Sequence, residues 1–139
     1  MSRKVLGLLI GILCFSAPAY AETIEEFYRR FALEPTAEML HPQGRYIVFV
    51  GDQMLAVSAD DIIKTYREHK AMGVKSELLA LEILSTKETG DIVSVAVRMR
   101  IAQTVGLQKS VLNAIGQEIL LKKGDTYVSV FSLIRAEVN

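Results

Sequence analysis

Between residues 91 and 104 apolar and polar side chains alternate. Val93, Val95, Val97, Met99 and Ile101 fall on one side of an extended chain, and Ser94, Arg98 and Arg100 on the other. Period two over this length predicts a strand with one buried face. The preceding stretch, Ser76 to Thr86, is ambiguous, because its Leu and Glu content suits a helix while Leu79, Leu81 and Ile83 alternate. A strand is predicted, since the alternating segment after it needs a partner, and Lys87 to Asp91 supplies a hairpin turn. A second long hairpin is expected from Ser110 to Lys123 and Thr126 to Glu137, turning at Lys122-Lys123-Gly124-Asp125. In its last strand Val128, Val130, Ile134 and Ala136 share one side, and Tyr127, Phe131 and Leu133 the other. Apolar residues on both sides place that strand centrally, or with its outer side covered as well. Arg45 to Val50, Gly51-Asp52-Gln53 and Met54 to Val57 read as a shorter hairpin.

Two segments carry the helical period instead. Ile24, Phe27, Tyr28 and Phe31 follow i, i+3, i+4, i+7, with Thr23 and Glu26 as a capping box and Glu34-Pro35 as the stop. A short turn is expected at Thr36 to Leu40. The second helix opens at Ser58 with Asp61 three residues on, and presents Ile62, Ile63 and Tyr66. Asp60 and Asp61 match the positive end of its dipole and His69 and Lys70 the negative end, with Gly73 closing it. Helix, turn, short hairpin, helix, then a long antiparallel meander predicts an α+β fold. The expected shape is a cone-like roll of strongly curved antiparallel sheet packed around the N-terminal helices.

The first 21 residues differ in kind. Arg3 and Lys4 precede an apolar run from Val5 to Phe15, and Ala19-Tyr20-Ala21 then offers a small-x-small site before Glu22. This is the three-part pattern of a secretory signal peptide, and the apolar run is too short to span a bilayer. Residues 1–21 are therefore expected to be a cleaved leader and 22–139 one domain, periplasmic or secreted and without a stable membrane anchor. Cys14 follows Leu13 rather than a small residue, so it is expected to leave with the leader rather than carry a lipid.

Charge and cysteine content narrow the chemistry. The 139 residues carry 16 basic and 16 acidic side chains. Without Arg3 and Lys4 the mature chain has 14 basic against 16 acidic, a formal −2, which gives no reason to expect nucleic acid. The 139 residues less a 21-residue leader leave 118 with no Cys, so disulfides, thiolate nucleophiles and Cys-held metals are excluded there. Two His poorly paired with carboxylates make no zinc site, and no metal or cofactor is expected.

The order and spacing resemble the nuclear transport factor 2-like superfamily, with its ketosteroid isomerase-like and polyketide cyclase-like members. The carriers are TIEEFYRRF, the stretch MLHPQGRYIVFVGDQMLAVSADDIIKTYREH, and the closing ILLKKGDTYVSVFSLIRAE, where Tyr127 stands at the usual Trp. The resemblance implies a cone with an open mouth, a Tyr on the first helix matched by Tyr28, a loop position matched by His41, and a sheet that commonly dimerises. The isomerase's cavity Asp pair has no match, because Asp52, Asp60, Asp61, Asp91 and Asp125 all read as turns or caps.

Candidate site residues follow. Phe27, Tyr28, Phe31, Tyr66, Met99 and Phe131 are expected to converge between helix and sheet, as core or as pocket lining. Gln117 and Glu118 adjoin on one strand, and whichever faces inward becomes a polar group needing a partner or a ligand. His41 is an acid, base or ligand donor, or else bonds the loop backbone beside Pro42; His69 reads as a dipole-favoured surface residue. Arg98 and Arg100 read as a solvated outer row. The leading expectation is a non-catalytic domain that binds a small apolar or amphipathic ligand or docks on a protein. Alternatives are an isomerase, dehydratase or hydrolase using His41, Tyr28 or Glu118, and a homodimeric assembly module joined through the sheet.

Overall fold

The computed structural model describes residues 21–139; the expected leader, Ala21 aside, lies outside them. Helix α1 (Ile24–Leu33) starts where its capping box predicts, with Thr23 Oγ1 accepting from Glu26 N–H and the Glu26 carboxylate from Thr23 N–H. One 3-10 turn (Ala37–Met39) leads into β1 (Leu40–Val50), which turns back as β2 (Gln53–Val57). Helix α2 (Ala59–Ala71) carries the second box, Ser58 with Asp61. Four long strands follow: β3 (Lys75–Thr89), β4 (Ile92–Val105), β5 (Gln108–Lys123) and β6 (Thr126–Val138).

The strands form one curved, open sheet in the order β2-β1-β6-β5-β4-β3, which makes β6 central as its two-sided hydrophobicity requires. All neighbours are antiparallel except β1 and β6, which run parallel. The alternating face of β4 is buried throughout: Val93, Val95, Val97, Met99 and Ile101. Four of them, Val93 to Met99, join Phe27, Tyr28, Met39 and Leu120 in the main core. Phe27 is its hub, stacked on Phe31 at 5.6 Å and edge-on to Tyr28 and Tyr127 at 5.4 and 6.0 Å. A second cluster, Leu40, Tyr46, Ala59 and Ile63, fixes α2 against β1.

Bulges correct the expected faces at two places. In β3, Leu78 pairs with Ile101 but Ala80 with Arg100, so Leu79 is squeezed out to solvent and the inward set is Leu78, Leu81 and Ile83. In β6, Ile119 pairs with Phe131 but Leu120 with Ser129, which leaves Val130 unpaired. The expected row Val128, Val130, Ile134, Ala136 is thereby broken: Ser132 faces inward in phase with Ile134 and Ala136, and past the bulge Ser129 turns inward in place of Val130; both serines are buried. Each extra residue bends its strand, as a curved sheet requires.

Two glycines are fixed by close approach. A Cβ on Gly44 would lie 2.3 Å from the Tyr46 hydroxyl, so only glycine lets that ring fold back and donate to Ser129 O at 2.7 Å. A Cβ on Gly116 would lie 2.9 Å from Ile134 Cγ1 and 3.0 Å from Leu133 O across the β5–β6 ladder. Gly116 is not bulged, and β5 pairs with β4 without interruption.

Candidate functional site

Register decides which polar side chain of β5 faces the core. Val95, Glu118 and Ser132 are cross-strand partners, and Val95 belongs to the buried row of β4. Glu118 therefore points inward, only 1% exposed, and its neighbour Gln117 points out. From the other side α1 lowers Tyr28, fully buried, toward the same place. Ser129, turned inward by the β6 bulge, donates from Oγ to Glu118 Oε2 at 3.5 Å, a long bond.

Four polar side chains thus meet in an apolar seam. The Tyr28 hydroxyl, Glu118 Oε1 and Ser132 Oγ are all buried without a hydrogen bond of normal geometry. Burial pushes the Glu118 carboxyl up to about 7; the nearby Ser132, Tyr28 and Ser129 hydroxyls favour its charged form and offset only part of this. Burial likewise raises Tyr28 well above the usual phenol range, with the adjacent carboxylate adding to it. Tyr46 is raised by burial too, partly offset by the Ser129 side chain and the His41 backbone. Around neutral pH the seam holds a carboxyl that is half neutral, beside hydroxyls that can reorient either to donate or to accept.

A groove of about 810 Å³ lies elsewhere, walled by the C-terminal half of α1, the following loop, α2, the start of β3 and Gln103 of β4. Its apolar lining is Ala32, Leu33, Pro35, Ile62, Tyr66 and Val74. Arg29, Arg30, His69, Lys70 and Lys75 also line it, against Glu34 as its acidic residue. Part of that charge is already balanced. Arg29 pairs with Glu25 at 2.8 Å and Arg30 with Glu22 at 2.6 Å, while Lys70 Nζ sits 5.9 Å from the Tyr66 ring centre.

The residues singled out from sequence are dispersed. Phe27, Tyr28 and Met99 are core, and Phe31 packs between both clusters. Tyr66 lines the groove. His41 stands in the irregular start of β1, where Nδ1 accepts the Gln43 N–H at 3.1 Å, and it lines neither groove nor seam. Gln117 lines a shallow depression of about 430 Å³ on the outer face of the sheet with Leu84, Ile115 and Leu133. Phe131 is half-buried on that outer side. Arg98 lies there as well, paired with its cross-strand partner Glu82 at 3.2 Å. Sequence reasoning missed the groove, whose walls come from three distant segments, and the paired serines of the seam. Among the described residues no three metal-ligating side chains stand together, and no helix is long and apolar enough to cross a membrane.

No family model and no curated protein matches the sequence. Solved structures do match the fold. An NTF2-like protein of unknown function in nutrient uptake from Rhodospirillum rubrum is 16% identical, with a TM-score of 0.62 over 83% of this chain and 94% of that one. An NTF2-like protein with a cystatin-like fold from Novosphingobium aromaticivorans is 15% identical, with 0.56 over 99% and 90%. A ketosteroid isomerase-like protein from Erwinia carotovora atroseptica is 12% identical, with 0.56 over 81% and 87%. The fold is that of the nuclear transport factor 2-like superfamily.

The raised Glu118 makes stability depend on pH with a definite sign. Its folded value near 7 exceeds its ordinary 4.5, so its contribution is fully present below about pH 4.5 and is lost as pH rises through 7. Glu118→Gln is therefore expected to raise unfolding stability at pH 8 by up to about 3 kcal/mol, the equivalent of that displacement. At pH 4 it should change little. Urea unfolding across pH 4–8 checks this, and a wild-type curve that climbs from pH 5 to pH 8 would contradict it.

Proposed function

We propose that the protein is an exported, non-catalytic domain that binds a small amphipathic organic molecule in the groove between α1 and α2. The observation that carries this reading is the groove itself. Its volume lies in the range of small-molecule sites, and it combines a mostly apolar lining with several polar groups. An apolar body can rest on Leu33, Ile62, Tyr66 and Val74, and a polar head can meet Thr65, Ser76, Gln103 or the Lys70 and Lys75 ammonium groups. A catalytic reading is less well supported. A general acid or base must reach its substrate, and Tyr28 and Glu118 are buried and line neither the groove nor the outer depression.

Export rests on the leader pattern of residues 1–21. Its proposed cut falls just before Glu22, whose backbone N–H bonds Asp125 O at 2.8 Å and whose carboxylate meets Arg30 and Thr126. A mature chain starting there would keep its first residue anchored.

A second reading, assembly as a homodimer, is favoured by the outer face. Leu84, Ile115 and Leu133 are exposed there as neighbours, with Glu82, Arg98 and Arg135 around them. A patch of that kind is a candidate contact for a second copy.

Calorimetric titration of the mature protein with dodecanoate, dodecylamine and dodecanol tests the main reading. Saturable one-to-one binding of at least one is expected, weakened tenfold or more by Tyr66→Ala combined with Leu33→Ser. Absence of saturable binding to all three, by titration and by native mass spectrometry, would overturn it. Chain expressed with its own leader in a bacterial host should be recovered from the periplasm with Glu22 first, read by intact mass. For assembly, Ile115→Arg with Leu133→Arg should convert a dimer to a monomer in light scattering; a wild-type chain that is already monomeric at high concentration sinks that reading.

A further inference from the structure

The buried Tyr28–Glu118 seam takes no part in the ligand reading, yet the helix that covers it is also a groove wall. Tyr28 projects from α1 onto Glu118, while Arg29, Arg30, Ala32 and Leu33 of the same helix line the groove. Of the elements around the seam, α1 is the one whose departure breaks no strand ladder. The strands are tied to each other by ladders of backbone hydrogen bonds along their length. Helix α1 satisfies its backbone internally and is held down by side-chain packing. Lifting it breaks no ladder, and its cost is the apolar contact of Phe27 and Tyr28. Its start is pinned, because Glu22 holds both Arg30 and the β5–β6 turn. Its end runs into Glu34-Pro35, outside any ladder.

We propose that the Tyr28–Glu118 seam is a proton-operated latch on α1, closed when Glu118 is neutral and loosened when it ionises, and that a molecule bound in the groove holds the same latch shut. The second half rests on the groove reading; the first does not. The groups that face Glu118 are Tyr28 from α1, Val95 from β4, and Ser129 and Ser132 from β6; Tyr46 of β1 lies beyond, bonded to Ser129 O. Tyrosines are neutral at these pH values, so no charge among these neighbours compensates a carboxylate. A neutral Glu118 can both donate and accept among the three hydroxyls. An ionised one has no opposite charge beside it, the three hydroxyls offset only part of its burial cost, and water reaches it when α1 rises. By reciprocity, whatever needs the α1 wall to bind must oppose that rise.

Amide hydrogen exchange of α1, read on the mature protein at pH 6 and pH 8 and corrected for the chemical exchange rate, tests the latch. With Glu118 moving between 4.5 and about 7, opening of residues 27–33 should rise about tenfold over that interval. In Glu118→Gln it should be flat, and exchange in the middle of β4 and β5 should show no matching local opening. Flat α1 exchange in the wild type overturns the latch, whatever binds the groove. If the Gln variant does not fold, carbon NMR of the Glu118 carboxyl in the wild type decides, since a midpoint below 5 overturns the proposal. Dodecanoate at a hundred times its dissociation constant should slow α1 opening about a hundredfold at both pH values. A pH-dependent α1 that dodecanoate binds without slowing overturns the ligand half alone. A pH-dependent α1 in a protein that binds none of the three amphiphiles overturns the groove reading and leaves the proton half standing.

Discussion

Helix α1 can bury Phe27 and Tyr28 in only one way, and the rest of the arrangement follows from it. The two rings are adjacent in sequence and both fully buried, so the helix must press its whole inner edge onto the β4–β5 row. Fully burying side chains of that size stabilises by roughly 2–3 kcal/mol each, enough to dominate a short helix whose own propensity is marginal. Tyr28 cannot be buried without its hydroxyl, and the β4–β5 register sets Glu118 opposite it. The polar seam is thus a direct consequence of the hydrophobic one.

Which parts of this were legible in the sequence depends on whether local pattern or strand register decided them. Both capping boxes, both helices and the β4 face were readable, because each is set by residues within one turn or one alternation. The family resemblance was readable from element order, and matching folds bear it out. Leu79 and Val130 were misassigned because a bulge is chosen by the neighbouring strand, and nothing in either local sequence announces one. The same limit left Gln117 and Glu118 undecided: their facing is settled by Val95 across the ladder, nowhere near them in sequence. The candidate pocket residues mixed core, groove and outer face for a related reason. An aromatic stripe says that a side is buried, and gives no sign of whether protein or ligand covers it. Tyr66 alone of that set reached the groove, because α2 buries Ile63 on one edge and leaves Tyr66 on the next.

The two faces of the sheet show how differently apolar exposure can be used. Inside, α1 covers the buried row of β4, and the space between its C-terminal half, α2 and the start of β3 stays open as the groove. Outside, Leu84, left unpaired where β3 slips register between Ile83 and Ser85, meets solvent with Ile115 and Leu133 beside the Glu82–Arg98 pair. Removing those three by substitution should disturb the fold little, since each already contacts water in the folded chain. An equal change at Leu120 would open a cavity in the main core at a cost of about 2–5 kcal/mol.

Glu118 is costly as a structural element. A Gln, or an apolar residue of similar size, would fill the same space without the charge, and a single domain has only about 5–15 kcal/mol of stability in total. A residue that gives up about 3 kcal/mol of this as pH rises is poorly explained by packing alone. The latch proposed for α1 would give that cost a use. The carboxyl sits against a helix whose departure breaks no strand ladder, and that helix forms a wall of the groove on its other edge. Residues 27 and 28 on one side of α1 and 29, 30 and 33 on the other put seam and groove on a single rigid rod. A ten-residue helix is too short to bend between them, so in the proposed latch a change at the seam would reach the groove as a pivot of the helix about its pinned start.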